Sequence, residues 1–205
     1  VLDKCDVVQN MMRSKHMISY KAFESKFICE NYLYKVGMNF IRKEIHNTNV
    51  FHSVMNPFDC LTYYGDINNF EYYLVDAGGC IKEDKNSSKI TCTELYIIRR
   101  LTLNELFLHG LAYMNRHPHK TWSSYVRKNK AIASGGFAIV RGKNPLACGN
   151  IGDILTFAKE KTKSEVIIQI ALICVDGKTI RPGMWYDINF KIRGRFINPL
   201  TLRTQ

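Results

Sequence analysis

The sequence predicts an α+β fold with a helical amino-terminal region and a carboxyl-terminal antiparallel β-sheet or sandwich. Residues 1–49 place Phe23, Phe27 and Tyr34 at or near helical spacing, with Lys and Glu scattered between them, as an amphipathic helix requires. Residues 166–175 are nearly continuous in β-branched and other apolar side chains, which is typical of a central strand covered on both faces. The helical pattern therefore stands at the front of the chain and the clearest β pattern at the back.

The pattern changes at Asn56-Pro57, so residues 1–56 are predicted to be a helical region and residues 57–205 a mixed α/β region. Aromatic and branched residues occur in short runs over 58–92, with turn-forming residues between them. These runs predict two or three short antiparallel strands. We expect the mixed region to form one compact unit that contains a carboxyl-terminal β-hairpin.

A helix is predicted next, from near Leu103 to just before Pro118. Residues Thr102 to Glu105 read Thr-Leu-Asn-Glu and fit a capping box, in which the Thr and Glu side chains satisfy exposed amides. Apolar residues follow, and the proline disfavours helical geometry in the residue before it. The segment after Pro118 is therefore expected to be an exposed connection, a common location for binding residues.

The remaining elements follow from local patterns. A turn leads into a short strand at 137–140, and Asn150 is predicted to cap a helix that runs to about Lys161. Asp176-Gly177 is a hairpin signal after the strand at 166–175. It leads to residues 184–195, where apolar and polar residues alternate as in a half-buried strand.

The net charge of +11 is carried almost entirely by the second half of the chain. Residues 1–100 have a net charge of +1, while residues 101–205 have sixteen Lys and Arg against six Asp and Glu, a net +10. An asymmetry of this size steers a polyanion to one side of a molecule. Nucleic acid is therefore the predicted partner class, with RNA favoured over DNA.

The basic residues concentrate in residues 106–152, which contain no Asp or Glu. Cations attract phosphate without sequence preference, and neighbouring aromatic faces add stacking on unpaired bases. The predicted nucleic-acid-binding residues are the seven cations and two aromatic residues of this stretch: Arg116, Lys120, Trp122, Tyr125, Arg127, Lys128, Lys130, Arg141 and Lys143. The alternative interpretation is a solvated basic face whose Trp and Tyr belong to the core.

The sequence predicts no cofactor, no metal ligand and no catalytic residue. The pairs His46 and His52, and His117 and His119, have neither the i, i+4 spacing of a helical zinc site nor neighbouring Cys-x-x-Cys motifs. Cys148 lacks the Gly-x-Cys-Gly context of chymotrypsin-like viral proteases, and no histidine follows His119. A Walker-type phosphate loop is absent as well.

A metal-dependent nuclease is the enzymatic alternative. Asp66 or Asp76, followed by Glu83-Asp84-Lys85, loosely resembles the order of acidic residue and Glu-x-Lys in the PD-(D/E)xK nucleases. That resemblance implies carboxylates that hold a divalent cation and a lysine that orients the attacking water. The segment spans about twenty residues, has Asp84 where the family carries an apolar residue, and precedes Asn86-Ser87-Ser88, so a solvated turn is the competing interpretation.

The cysteines and the chain ends predict where the protein is located. The seven cysteines lack close pairs, and several lie in apolar runs, as reduced intracellular thiols do. No apolar run is long enough to span a bilayer. The chain begins at Val1 rather than Met and ends at Gln205, where a Gln-specific viral polyprotein protease would cut. We therefore expect an intracellular, reducing or virion-associated location.

These observations predict a basic, nucleic-acid-binding structural protein, such as a capsid protein or other component of a virus particle, or a subunit of a ribonucleoprotein complex. Self-association into an oligomer or a larger assembly is expected of such a protein. The alternatives are the nuclease and a non-enzymatic scaffold subunit whose basic face binds an acidic protein.

Overall fold

The computed structural model describes residues 15–24, 27–29, 32–41, 50–63, 67, 69–120 and 123–196. The chain divides into two compact units. The first comprises Val1–Cys60 with Asn68–Thr102, and the second comprises Leu61–Ile67 with Leu103–Gln205. A 3-10 turn at Pro57–Asp59 and a short helix α1, Cys60–Tyr63, occur where the chain first leaves the first unit.

The first unit is built on an antiparallel sheet. Its strands are β1 Met17–Phe23, β2 Ile28–Cys29, β3 Tyr32–Leu33, β4 Gly37–Phe40, β5 Phe51–Val54, β6 Glu71–Gly78, β7 Lys82–Glu83, β8 Lys89–Cys92 and β9 Glu94–Leu101. Seven of them form one sheet in the order β4-β9-β6-β1-β5-β8-β7, and β2 pairs with β3 in a separate hairpin. Strand β1 is the middle strand of this sheet, and the longest strands, β6 and β9, lie next to each other on one side of it.

An aromatic cluster forms the core of the first unit and encloses a lysine. The Phe23 ring lies 5.2 Å from that of Phe27 and 4.8 Å from that of Tyr34. Lys21 is 4% exposed, and its Nζ donates to the His52 carbonyl at 2.9 Å. The ammonium group also lies 5.1 Å from the Tyr34 ring centroid, within range of a cation-π interaction. These contacts offset part of the cost of burying its charge.

The second unit combines one long helix with a six-stranded sheet. Its elements are α2 Leu103–Arg116, β10 Val126–Ile132, β11 Phe137–Cys148, β12 Ile154–Glu160, β13 Ile167–Cys174, β14 Met184–Asp187 and β15 Ile192–Arg195. The sheet order is β13-β12-β11-β14-β15, and β10 pairs with β11. Helix α2 packs on β12 and β13, and it buries Leu106, Phe107, Leu111 and Met114.

Strands β10, β11 and β12 stack in parallel as successive turns of a coil. Val126 lies beside Ile139, and Ile139 lies beside Thr156, so the chain returns to the same position after 13 and then 17 residues. The link between β10 and β11 is a tight turn closed by a Ser134–Phe137 bridge. A crossover between parallel strands normally takes a dozen or more residues, so bends within the strands make the return here.

The predicted α+β arrangement is wrong, because the described residues are mostly strand. The stripe of Phe23, Phe27 and Tyr34 does pack together, but β1 and the β2–β3 hairpin bring these rings into contact, not a helix. Helical spacing over a short segment is also produced by strands and turns that converge on one core. The amino-terminal part of the predicted helix, residues 1–14, lies outside the described residues.

Three later predictions also need correction or refinement. The predicted helix from Asn150 to Lys161 is wrong, since this segment holds β12, which lies between β11 and β13. The apolar run at 166–175 does form a strand, β13, but the strand lies at the end of the sheet and not in its centre. The alternating segment 184–195 forms two strands, and the helix predicted from Leu103 is confirmed as α2.

The six cysteines among the described residues are free thiols: Cys29, Cys60, Cys80, Cys92, Cys148 and Cys174. Burial raises the pKa of Cys92 to about 11 and that of Cys60 higher still, so both stay protonated at neutral pH. In the part of the chain that the structure describes, no helix is both long and apolar enough to cross a membrane.

Candidate nucleic-acid interface

Strand β10 displays three of the predicted basic residues along one edge of the second unit. Arg127, Lys128 and Lys130 are exposed, whereas Val126 and Ala131 are buried. In a central strand, neighbouring residues point to opposite faces, so Arg127 and Lys128 would be separated by the sheet. The same alternation holds at an edge, but residues 127–130 are all exposed, so each of these cations reaches solvent. The strand therefore exposes three of the cations in the predicted set.

A corner in the coil separates Lys128 from Lys130. The pairing of β10 with β11 shifts register here, and Asn129 has a φ of 67°, a left-handed conformation that asparagine tolerates. Opposite it, Gly142 leaves room for the Asn129 side chain, because a Cβ at position 142 would lie 2.3 Å from the Asn129 Oδ1. A glycine is thus required for the two turns of the coil to approach at this corner.

Arg141 lies inside the second unit and not on the basic surface. Its side chain is fully buried, and its Nε donates to the Glu160 Oε1 at 2.6 Å. The same guanidinium donates through Nη2 to two backbone carbonyls, Pro118 at 2.8 Å and Glu165 at 2.9 Å. The first carbonyl belongs to the segment after α2, and the second belongs to the turn between β12 and β13. Arg141 therefore holds two loops in position.

A hydrogen bond between side chains joins the same two loops at the surface. The His119 Nδ1 lies 3.0 Å from the Glu165 Oε2, and both side chains are exposed. The hydrogen bond from His119 lowers the pKa of Glu165, and the charges of Arg141 and Lys128 lower it further. Glu165 thus accepts a hydrogen bond from His119 and also interacts electrostatically with Lys128 of β10.

The other predicted cations are exposed but lie on different elements. Arg116 ends α2, and its Nε donates to the Ala112 carbonyl at 3.4 Å. Lys120 lies in the turn after α2, where its backbone amide donates to the His117 carbonyl. Lys143 follows the corner glycine of β11. Among the described residues, none of these cations or those of β10 forms an ion pair.

Of the two aromatic residues predicted to stack on bases, Tyr125 lies within the described residues and Trp122 does not. Tyr125 is half-buried, and its ring meets the edge of Phe137 at 5.3 Å, so much of its surface already packs within the second unit. Trp122 lies outside the described residues. Tyr125 is therefore more strongly engaged in packing than the sequence interpretation assumed.

Sequence reasoning missed Trp185, the aromatic residue beside the basic edge. Trp185 is half-buried on β14, and the Lys130 Nζ lies 5.5 Å from its ring centroid. The Phe196 ring meets the Trp185 ring edge to face, with 6.3 Å between the ring centroids. Lys130 and Trp185 are 55 positions apart in the sequence, and β11 joins their strands through its pairs with β10 and β14. The only sequence signal was an aromatic residue ahead of the cations at 191–195.

The acidic residues of the second unit are largely occupied by local bonds. Glu160 binds Arg141, and Asp187 binds Arg193 and two backbone amides. Asp176 accepts from the amides of Lys178 and Ile180, and these bonds lower its pKa. These bonds stabilise the carboxylates in their charged form, and the positive potential of this part of the chain comes from its excess of sixteen Lys and Arg over six Asp and Glu in residues 101–205.

The described residues of the nuclease alternative belong to the first unit. Asp84 accepts from the Asn86 amide at 2.8 Å and from the Ser87 hydroxyl at 3.0 Å, so it closes the turn between β7 and β8. Asp76, which lies on β6, is paired with His16. Asp66 lies outside the described residues. The described ranges contain no group of three His, Cys, Asp or Glu side chains placed to hold a metal ion.

Comparison with known proteins identifies one related region. Residues 17–109 match the family model described as a domain of unknown function, DUF7666. No curated protein matches the chain, and no solved structure matches it either. The matched region covers the strands of the first unit and ends within α2, so β10 and the rest of the candidate interface lie outside it.

The buried ion pair predicts a large stability difference between two arginines. Replacing Arg141 with Ala leaves Glu160 buried without its partner, and we expect a loss of about 3–5 kcal/mol in the free energy of unfolding. Replacing the exposed Arg127 with Ala should change it by less than about 0.5 kcal/mol. Urea titrations monitored by circular dichroism measure both values. Equal stabilities for the two variants would contradict the assigned role of Arg141.

His117 reports the local positive potential. Burial lowers its pKa below the ordinary 6.5, and the charges of Lys120 and Arg116 lower it further. Replacing Lys120 with Ala should therefore raise the His117 pKa, while replacing Lys178, an exposed lysine after β13, should leave it unchanged. An NMR titration of the imidazole protons gives both values. Protonation of His117 in the parent chain should occur only below pH 6.5, and a midpoint above that value would contradict the assignment.

Proposed function

We propose that the second unit binds single-stranded nucleic acid, with RNA preferred to DNA, along the exposed edge of β10. The observation that carries this proposal is the exposure of Arg127, Lys128 and Lys130 on one edge strand, where none of them forms an ion pair with a described acidic residue. Phosphate contacts of this kind release counterions and provide most of the affinity in non-specific binding.

The position of Trp185 favours a single strand over a duplex. An aromatic face beside cations suits unpaired bases, which stack on it, whereas duplex bases are already stacked. In the unbound protein the Lys130 ammonium lies over the Trp185 ring, 5.5 Å from its centroid. An exposed cation-π contact stabilises by about 0.5–1 kcal/mol, and base stacking by about 1–3 kcal/mol. A base can therefore displace Lys130, whose ammonium then becomes available to a phosphate.

The function that we propose is structural and not enzymatic. The cations that carry the proposal lie on an exposed strand edge, where they can follow the backbone of an extended polyanion. Arg141 and Glu160 take no part in contact with the ligand; they hold the loops that flank the edge. We propose a ribonucleoprotein complex or a virus particle as the setting, because both require binding that is tolerant of sequence.

Removal of the β10 charges should weaken binding and reduce its salt dependence. For a variant with Arg127, Lys128 and Lys130 all replaced by Ala, we expect the slope of log K against log salt to fall by roughly 2, since each contact to a single strand contributes about 0.7. Fluorescence anisotropy with a labelled oligouridylate at several salt concentrations measures the slope.

The matched control removes three exposed charges from the first unit, at Lys35, Lys82 and Lys85. This variant has the same net charge as the β10 variant, so a general loss of attraction affects both equally. An equal change of slope in the two variants would contradict specific binding at the β10 edge.

Competition with polyglutamate tests the acidic-protein alternative, which predicts that polyglutamate displaces the oligonucleotide as effectively as unlabelled RNA.

Trp185 should contribute to binding of single strands alone. Replacing it with Leu keeps an apolar side chain in the half-buried position and removes the aromatic face, so affinity for oligouridylate should fall by about 1–3 kcal/mol. Replacing it with Phe should retain most of the affinity. Neither change should alter binding to duplex RNA, which isothermal titration can follow. A Leu variant that binds single strands normally would eliminate stacking at this position.

A further inference from the structure

The sheet of the second unit has exposed strand edges that differ in their side chains. An exposed edge can pair with another strand, and proteins usually prevent this with Lys or Arg, bulges or glycines. Strand β10 carries Arg127, Lys128 and Lys130 with a register shift between them. Strand β15 carries Arg193 and Arg195 around Gly194. Both edges are protected against pairing.

Strand β13 has none of the charged residues that protect the other edges. It pairs with β12, and no other strand among the described residues pairs with its far side. A bulge at Ile168 interrupts the register at its start, and residues 169–174 then pair regularly with β12. Ile168 is 57% exposed and Ile170 is 37% exposed. The edge is therefore uncharged, partly exposed and regular over the six residues 169–174, of which Gln169 alone is strongly polar and donates to the Asn189 side chain.

Charge determines which partner fits this edge. Each copy of the chain carries +11, so two copies repel each other wherever their Lys and Arg residues meet. Residues 166–175 contain no charged side chain, which makes β13 a place where two copies can approach without that cost. A strand that meets its own copy in antiparallel orientation obeys two-fold symmetry, the commonest symmetry of oligomers.

We propose that β13 pairs with β13 of a second copy of this chain, in antiparallel orientation, and joins the two sheets into one. The outward-facing backbone groups of residues 169–174 then gain hydrogen-bond partners, and Ile170 is shielded from water. This inference concerns β13 and is independent of nucleic-acid binding, which the proposed function assigns to β10. Loss of one property leaves the other intact.

Light scattering after gel filtration of the full chain tests the proposal. The protein is treated with nuclease and run in about 1 M salt, where the Debye length is about 3 Å, so that nucleic acid and surface charge no longer hold copies together. A contact between uncharged strands persists under these conditions. We expect a mass of twice 23.7 kDa for the parent chain and the monomer mass for Ile170→Lys.

The control variant is Ile151→Lys, which adds the same charge at an isoleucine that is 69% exposed and lies outside β13. It should remain a dimer. A parent chain that is monomeric at its highest soluble concentration overturns the proposal, as does a dimer that survives Ile170→Lys or is lost equally in Ile151→Lys. Thermal melts of both variants verify that they are folded.

Hydrogen exchange of the parent chain provides a test that needs no variant. Outward-facing amides within 169–174 should exchange more slowly at high protein concentration than at low concentration, because only the dimer protects them. Amides of β10 should show no such dependence under the same conditions. Concentration-independent exchange throughout β13 overturns the proposal even if the parent chain is dimeric.

Discussion

The buried ion pair between Arg141 and Glu160 is the interaction on which the second unit depends. A fully buried guanidinium is tolerated only when its charge is paired and its donors are used. Here Nε binds the carboxylate, and Nη2 binds the carbonyls of Pro118 and Glu165. These bonds attach the exit of α2 and the β12–β13 turn to the middle of β11. The basic stretch is thus organised around an arginine that solvent does not reach.

Both units bury a cation, and they do so by different means. In the first unit, Lys21 donates to the His52 carbonyl and lies against aromatic rings, including Tyr34. In the second, Arg141 has a carboxylate partner. Aromatic faces attract a cation through the ring quadrupole, whereas a carboxylate neutralises its charge. The family match at 17–109 covers the unit with the lysine and stops before the coil that contains the arginine.

The strand edges of the second unit follow from the coil. Strand β10 is the first of the three successive turns, and no strand among the described residues pairs with its outer side. The hairpin between β12 and β13 then ends the stack at the other side. One edge is rich in cations and the other has none. This difference is the basis on which we propose polyanion binding at β10 and self-association at β13.

The sequence by itself determined the properties that depend on composition and on short-range pattern: the charge asymmetry, the helix from Leu103 to Arg116, and the exposed cations of 126–132. Tertiary structure alone decided that Arg141 is buried, that residues 154–160 are a strand, and that Trp185 adjoins Lys130. Periodicity and propensity report the environment of each segment over a few residues. Pairing between strands far apart in the chain depends on contacts that no local pattern records, and the coil consists of such pairs.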